Sequence, residues 1–203
     1  GRDLKTNALG TLNVLEWCRA QGLGKIIYAS SMAVYGDQPL HSAVDEDAEC
    51  APRSFYGISK LTSEHLLSLY REEFGLQFTA LRLFNVYGPG QVGEGAIRNF
   101  IIKALANEDL TLHGGGGQVR SWCYVDDMVD AVIRAASTPS AVGRTFNIGN
   151  ADTLISIREL AELIVDLCGS HSAILDGPAT SADIHVRNPC VDRARELLGF
   201  EAD

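Results

Sequence analysis

The 203-residue sequence has little of what marks disordered, disulfide-rich or membrane-spanning chains. Only 6 residues are proline, and no apolar run approaches the roughly 18 residues that a membrane-spanning helix needs. The 5 cysteines are odd in number and widely spaced, without a Cys-x-x-Cys pair, which argues against a disulfide framework and a zinc site. Because the first residues also lack the apolar core of a signal peptide, we expect a cytoplasmic protein with reduced thiols, no bound metal and no membrane partner.

Positive charge is also scarce. Lys and Arg number 17 against 26 Asp and Glu, which gives a formal net charge of -9. This is the wrong sign for a protein that binds nucleic acid through its overall charge. We therefore expect no nucleic-acid partner, and any anionic ligand must be held by a few local cations.

The chain alternates short apolar runs with segments in which apolar residues repeat at helical spacing. This alternation is typical of a parallel sheet covered by helices. The pattern predicts a buried strand over Lys25–Ser30, a polar loop over 31–54, a helix over Phe55–Phe74 and a strand over Gln77–Phe84. The elements predicted beyond these are helices over Ile97–Asn107, Asp126–Ala136 and Arg193–Leu198, strands over Leu110–His113, Ser121–Val125 and Thr145–Ile148, and a helix that opens with a capping box at Ser156–Glu159.

Three side chains around the first strand and helix suggest proton chemistry. Tyr56 and Lys60 are four residues apart in a helical pattern, so they project from the same face. Ser31 follows the buried strand, and parallel sheets bind ligands at the carboxyl ends of their strands. A phenol with a pKa of about 10 is a poor base at neutral pH, but a neighbouring ammonium lowers that pKa. We expect Tyr56 to exchange a proton with a substrate hydroxyl while Ser31 positions or relays it.

Three motifs carry a family resemblance, namely Ser-Ser-x-x-Val-Tyr-Gly at 30–36, Tyr-x-x-x-Lys at 56–60 and Arg-Leu-Phe-Asn-Val-Tyr-Gly-Pro at 82–89. Together they resemble the extended short-chain dehydrogenases, specifically the NAD-dependent nucleotide-sugar epimerases and dehydratases of the UDP-glucose 4-epimerase type. Residues 7–14, 118–127, 146–149 and 193–200 continue the likeness over nearly the whole chain. The resemblance implies an α/β fold with a doubly wound, Rossmann-type parallel sheet that lacks its first βα units, beside a smaller α/β substrate-binding region.

The same resemblance implies a division of the chain. Residues 1–90 are expected to form the C-terminal half of the NAD-binding Rossmann domain and to carry the catalytic residues. Residues 91–203 are expected to form mostly the nucleotide-sugar-binding region, with segments near 120–150 returning to the Rossmann sheet. NAD is the implied cofactor. A homodimer is also implied, with the helices over Leu4–Ala20 and Phe55–Phe74 as its interface.

Site residues carried over from the family fall into three groups. The catalytic residues are expected to be Ser31, Tyr56 and Lys60. The residues expected to contact NAD are Asn7, Ser30, Tyr56, Lys60 and Phe84. The residues expected to contact the nucleotide-diphosphate sugar are Ser31, Asn85, Arg120 and Arg187, since an arginine fork suits phosphate.

The two residues after Ser31 bear on the reaction. In the family's dehydratases and UDP-glucuronate decarboxylases these positions carry acidic groups, whereas Met32 and Ala33 cannot transfer protons. We therefore expect epimerisation, at C4, through a transient 4-keto sugar. The alternatives are a 3,5-epimerase, dehydratase, decarboxylase or reductase of the same family, or a catalytically silent NAD-sensing or scaffold relative. The base and the sugar, and NAD against NADP, stay open.

Overall fold

Helices and strands alternate along the chain. The computed structural model describes residues 1–36, 43–93, 95–178 and 186–202, with the backbone alone at 186 and 187. The helices are a π-helix at Leu4–Leu9, α1 Gly10–Gln21, α2 Phe55–Phe74, α3 Ala96–Leu105, α4 Val125–Ser137, α5 Ile157–Leu167 and α6 Asp192–Leu198. The strands are β1 Lys25–Ser31, β2 Gln77–Leu83, β3 Val86–Tyr87, β4 Leu110–His113, β5 Val119–Arg120, β6 Cys123–Tyr124, β7 Arg144–Ile148, β8 Ile155–Ser156, β9 Ile174–Gly177 and β10 Val186–Arg187.

The main sheet has the strand order β1-β2-β7, with both pairs parallel. Ser31 pairs with Leu83 and Leu83 with Ile148, so the carboxyl ends of all three strands lie at one edge. Helices α1 and α2 pack on one face of this sheet, and α4 and α6 on the other. This arrangement confirms the α/β fold with a Rossmann-type parallel sheet, and it places ligand-binding positions at the edge that contains Ser31.

A second region is built from α3, β4 and α5 around an apolar cluster. Strand β4 alternates, with Leu110 and Leu112 fully buried and Thr111 and His113 exposed. Helix α5 begins with the predicted capping box, in which the Glu159 N–H donates to Ser156 Oγ at 3.1 Å and the Ser156 N–H donates to the Glu159 carboxylate at 2.8 Å. The region therefore combines a packed core with a polar outer surface.

The predicted strand over Ser121–Val125 is confirmed only at Cys123 and Tyr124. The chain instead forms β5 and β6, two short strands separated by Ser121 and Trp122, and α4 begins at Val125. Strand β5 pairs with β8 and β10, whereas β6 pairs with β3. Because the two strands have different partners, the chain turns between them. No helix within the described ranges is long and apolar enough to cross a membrane.

Candidate active site

The end of β1 and the first turn of α2 meet at a glycine. Ser31 Oγ accepts a hydrogen bond from the Ala33 N–H at 3.2 Å at the start of a short 3₁₀ turn. A Cβ on Gly57 would lie 2.3 Å from the Ala33 carbonyl oxygen, so only glycine allows this approach. Since Tyr56 precedes Gly57, the contact holds Tyr56 beside the turn that follows Ser31. Tyr56 is 42% exposed, so its phenol is open to a ligand.

Lys60 lies one helical turn further along α2. Its Nζ donates to the Ala29 carbonyl at 2.7 Å and lies 5.7 Å from the centroid of the Tyr56 ring. Burial lowers the pKa of Lys60 from its usual 10.5. An ammonium has three N–H donors, so the bond to Ala29 leaves donors for a ligand.

Asn7 joins the same helix from the other side. Its Nδ2 donates to Ser59 Oγ at 2.9 Å, and Ser59 Oγ donates to the Tyr56 carbonyl at 2.7 Å. Asn7 lies in the π-helix, a form that often occurs at functional sites. Asn7 and Lys60 both line a cavity of about 390 Å³ beside β1. The structure thus brings together Asn7, Tyr56 and Lys60, with Ser31 at the adjoining strand end.

Two residues expected to contact the cofactor have buried side chains. Ser30 is 2% exposed, and its Oγ donates to the carboxylate of Glu64. Phe84 is 1% exposed and packs against Tyr35 and its neighbours in the core. A cofactor contact by either residue would therefore use the backbone, and their assignment to the cofactor stays a prediction.

Three of the four residues expected to contact the nucleotide sugar lie at or beside β5, and the fourth, Ser31, ends β1. Asn85 has a positive φ of 33°, and its Nδ2 donates to the Ser121 carbonyl at 2.7 Å. Asn85 is thus bonded to the residue that follows Arg120. Arg120 donates to the Val119 carbonyl at 2.8 Å and lines a cavity of about 350 Å³. The backbone of Arg187 pairs with that of Arg120 in β10, and its side chain lies outside the described part of the structure.

Comparison with known proteins defines the family. The NAD dependent epimerase/dehydratase family matches residues 1–149. The chain belongs to this family. It is 34% identical over 206 residues to UDP-glucuronic acid decarboxylase 3 of Arabidopsis thaliana, covering 98% of this chain and 59% of the relative.

Solved members of the epimerase/dehydratase family share the fold. A UDP-glucose 4-epimerase of Thermotoga maritima, solved with UDP-glucose, superposes with a TM-score of 0.94 at 32% identity, covering 100% of this chain and 66% of that chain. A UDP-glucuronic acid 4-epimerase of Bacillus cereus, solved with UDP-glucuronic acid and NAD, gives 0.91 at 30% identity, covering 97% and 62%. The family predicted from the motifs is confirmed. The chain spans about half to three fifths of the length of the curated relatives it matches.

The cavity around Arg120 contains polar residues that the motifs did not single out. Asn99 and Lys103 lie on α3, Thr111 and His113 lie on β4, and the buried Gln118 precedes β5. The alternation of Leu110-Thr-Leu-His was the available signal, because it places Thr111 and His113 opposite the buried leucines.

Proposed function

We propose that the protein interconverts the C4 epimers of a nucleotide-diphosphate sugar with NAD as cofactor. The observation that carries the proposal is the close approach of Gly57 to Ala33, which sets Tyr56 beside the end of β1, with Lys60 Nζ 5.7 Å from the Tyr56 ring centroid. A phenol, a hydroxyl and an ammonium are the groups that a reversible oxidation of a sugar hydroxyl needs. No acidic side chain at positions 32 or 33 is available for a further proton transfer.

The residues present fit NAD. Asn7 and Lys60 share a cavity beside β1, and the half-buried ammonium of Lys60 keeps donors for ribose hydroxyls. When bound, NAD supplies the site that accepts and returns a hydride. Tyr56 removes the proton from the sugar hydroxyl and later returns it, Lys60 places an ammonium beside the phenol, and Ser31 orients the hydroxyl.

The nucleotide diphosphate is assigned to the Arg120 cavity. A guanidinium offers a planar fork that matches phosphate oxygens. The residue after Arg120 is Ser121, whose carbonyl accepts the hydrogen bond from Asn85. Lys103 lines the same cavity. Local cations of this kind are needed in a chain whose net charge is -9. We accordingly assign residues 1–90 mainly to the cofactor and the chemistry, and 91–203 mainly to the nucleotide sugar.

Decarboxylation of a nucleotide-linked uronic acid is the second candidate. It is favoured by the 34% identity to a UDP-glucuronic acid decarboxylase. It is disfavoured by Met32 and Ala33, which replace proton-transferring groups with apolar ones. The two reactions share their first oxidation step, so product analysis separates them.

The test uses the complete gene product with NAD and, separately, UDP-glucose, UDP-galactose and UDP-glucuronic acid. Epimerisation gives a product of unchanged mass and altered chromatographic retention. Decarboxylation gives a product that is lighter by carbon dioxide. Products of lower mass from UDP-glucuronic acid, with no epimer from any substrate, would replace the first proposal by the second.

We also propose a homodimer that forms through α1 and α2. Both helices expose large apolar side chains, among them Trp17, Phe55 and Phe74, with exposed fractions above one half. An exposed apolar surface shared by adjacent helices is typical of an interface. Light scattering on the complete protein would measure the mass, and Trp17→Glu should convert a dimer to a monomer.

A further inference from the structure

Two side chains of α2 hold two successive residues of β1. Lys60 and Glu64 are four residues apart and therefore lie on one face of the helix. Lys60 Nζ donates to the Ala29 carbonyl at 2.7 Å, and Ser30 Oγ donates to the Glu64 carboxylate. The next residue of the strand is Ser31. The face of α2 that carries Tyr56 is thus attached to β1 immediately before the candidate catalytic serine.

Arg82 completes this attachment from the neighbouring strand. It pairs with Ser30 in the register of β1 and β2. Its Nη2 and Nε donate to the Glu64 carboxylate at 2.7 and 3.1 Å. The two side chains are only 7% and 8% exposed. Burial alone would lower the pKa of Arg82, but the hydrogen bonds and the charge of Glu64 raise it overall, so the guanidinium stays protonated.

The guanidinium also reaches the segment between Ser31 and Tyr56. Arg82 Nη1 donates to the Glu46 carbonyl at 3.2 Å, and its carbon lies 4.7 Å from the centroid of the Tyr35 ring. Tyr35 donates in turn to Asn147 Oδ1 at 2.6 Å. The buried pair therefore touches the strand before Ser31, the turn after it and the segment that leads to Tyr56.

Stability alone does not account for such a pair. Two buried charges lose their hydration, and apolar residues of similar volume often stabilise a fold as well or better. A charged pair with directional hydrogen bonds does fix geometry, however, and a catalytic group must be held to within about 0.5 Å. Glu64 lies on α2 and accepts hydrogen bonds from Ser30 of β1 and Arg82 of β2. The relative position of α2 and β1 sets the distance between Ser31 and Tyr56.

We propose that Glu64 is a positioning residue, which holds β1 and α2 in the register that brings Ser31 to Tyr56 and Lys60. The proposal rests on the proposed function for its catalytic consequence. The role requires no contact between Glu64 and a substrate or cofactor. Its effect passes through Ser30, so deleting the Ser30 hydroxyl should have the same kinetic result as withdrawing the carboxylate.

Two variants test this without leaving a charge unpaired. Ser30→Ala removes one hydrogen bond and keeps the ion pair with Arg82, and Glu64→Asp keeps the charge but shortens its reach. In the complete protein we expect each to lower kcat about tenfold, with the sugar KM and the NAD affinity within about twofold of the unaltered protein. The double variant should be no slower than the slower single variant, because Glu64→Asp already withdraws the carboxylate from Ser30.

The control is Leu198→Ala, which removes a buried side chain on α6 and lowers stability without touching the network. It should leave kcat within about twofold. Additive losses in the double variant, a matching loss of kcat in Leu198→Ala, or a tenfold weaker NAD affinity in Ser30→Ala would each overturn the proposal.

Hydrogen exchange gives a readout that does not require turnover. The amides of residues 31–35 should exchange about tenfold faster in Ser30→Ala than in Leu198→Ala. Unchanged exchange at these amides would overturn the positioning role. If the unaltered protein converts no nucleotide sugar, the proposed function fails, while the exchange measurement still decides the role of Glu64.

Discussion

The two halves of the candidate site both rest on apolar cores, and they differ in the polar contacts beneath their candidate site residues. In the sheet region, made of β1, β2, β7 and α2, the buried pair of Glu64 and Arg82 lies below the edge that carries Ser31. The cavity region, made of α3, β4, β5 and α5, is organised by an apolar cluster that contains Leu110 and Leu112. Its polar groups lie outside this cluster and line an open cavity.

This difference separates two tasks. In the sheet region, directional bonds define the relative position of the groups proposed to transfer protons, where small displacements would slow the reaction. In the cavity region, apolar packing supports the surface proposed to bind the nucleotide sugar, in ground state and transition state alike. Substitutions in the sheet region should therefore lower kcat, and substitutions in the cavity region should raise KM.

The largest effect is expected for Tyr56→Phe. Loss of the hydroxyl removes the proton-transfer group but little binding surface, so kcat should fall by about 10²–10⁴-fold while NAD stays bound. Steady-state kinetics and the cofactor content of the purified variant measure both. Tyr70→Phe is the matched control, since its phenol bonds Glu16 on α1. A Tyr56→Phe enzyme within threefold of the unaltered one would contradict the assignment.

Arg120→Ala tests the other side of the comparison. We expect the KM for the nucleotide sugar to rise about ten- to hundredfold, the worth of one or two hydrogen bonds to a charged group. The value of kcat should change by less than about threefold. Arg195→Ala is the control, because Arg195 lies on α6 and pairs with Asp192. A collapse of kcat at constant KM would move Arg120 into the chemistry and break the division between the regions.

Local patterns predicted the elements of both regions well. Helix α2 begins and ends at the predicted Phe55 and Phe74, because Ser54 caps its first turn and Gly75 adopts a left-handed conformation at its end. Strand β4 also has the predicted bounds. These features depend on neighbouring residues, and so they can be read from the sequence.

Long-range contacts could not be predicted in the same way. Glu64 and Arg82 belong to residue types that are normally exposed, and only the pairing of β1 with β2 brings them together. The division of 119–124 into β5 and β6 depends on partners far along the chain. The candidate catalytic trio could be selected from the sequence because its proposed chemistry restricts the residue types, whereas the cavity residues are varied polar groups that share no motif.

A moderate effect is expected for Gly57→Ala. The added Cβ would lie 2.3 Å from the Ala33 carbonyl oxygen, so the first turn of α2 must move away from the turn after Ser31. We expect kcat to fall about tenfold and stability by about 1–3 kcal/mol. Gly24→Ala is the matched control, because a Cβ there meets no atom within 4 Å. Equal kinetics in the two variants would show that this contact does not position Tyr56.

The smallest effect is expected at Glu46, which belongs to the polar network of the sheet region. Its carboxylate accepts a hydrogen bond from the Asn147 N–H at 2.7 Å and lies 3.6 Å from Arg193. Burial raises its pKa above the usual 4.5. The folded protein therefore binds this proton more tightly than the unfolded chain does, and the associated stability is lost as the pH rises through the folded pKa.

Glu46→Gln keeps an acceptor for Asn147 and removes the charge. At neutral pH its free energy of unfolding should lie within about 1 kcal/mol of the unaltered value, since the lost attraction to Arg193 offsets the avoided desolvation. Relative to the unaltered protein, the variant should gain stability from acidic to neutral pH. The neighbouring Asp47→Asn should do the opposite, because Arg193 lowers the pKa of the exposed Asp47. Denaturant unfolding at several pH values measures both slopes. Slopes of the same sign would show that burial does not determine the direction of the Glu46 pKa shift. The charge of Glu46 would then not lower the stability of the sheet region.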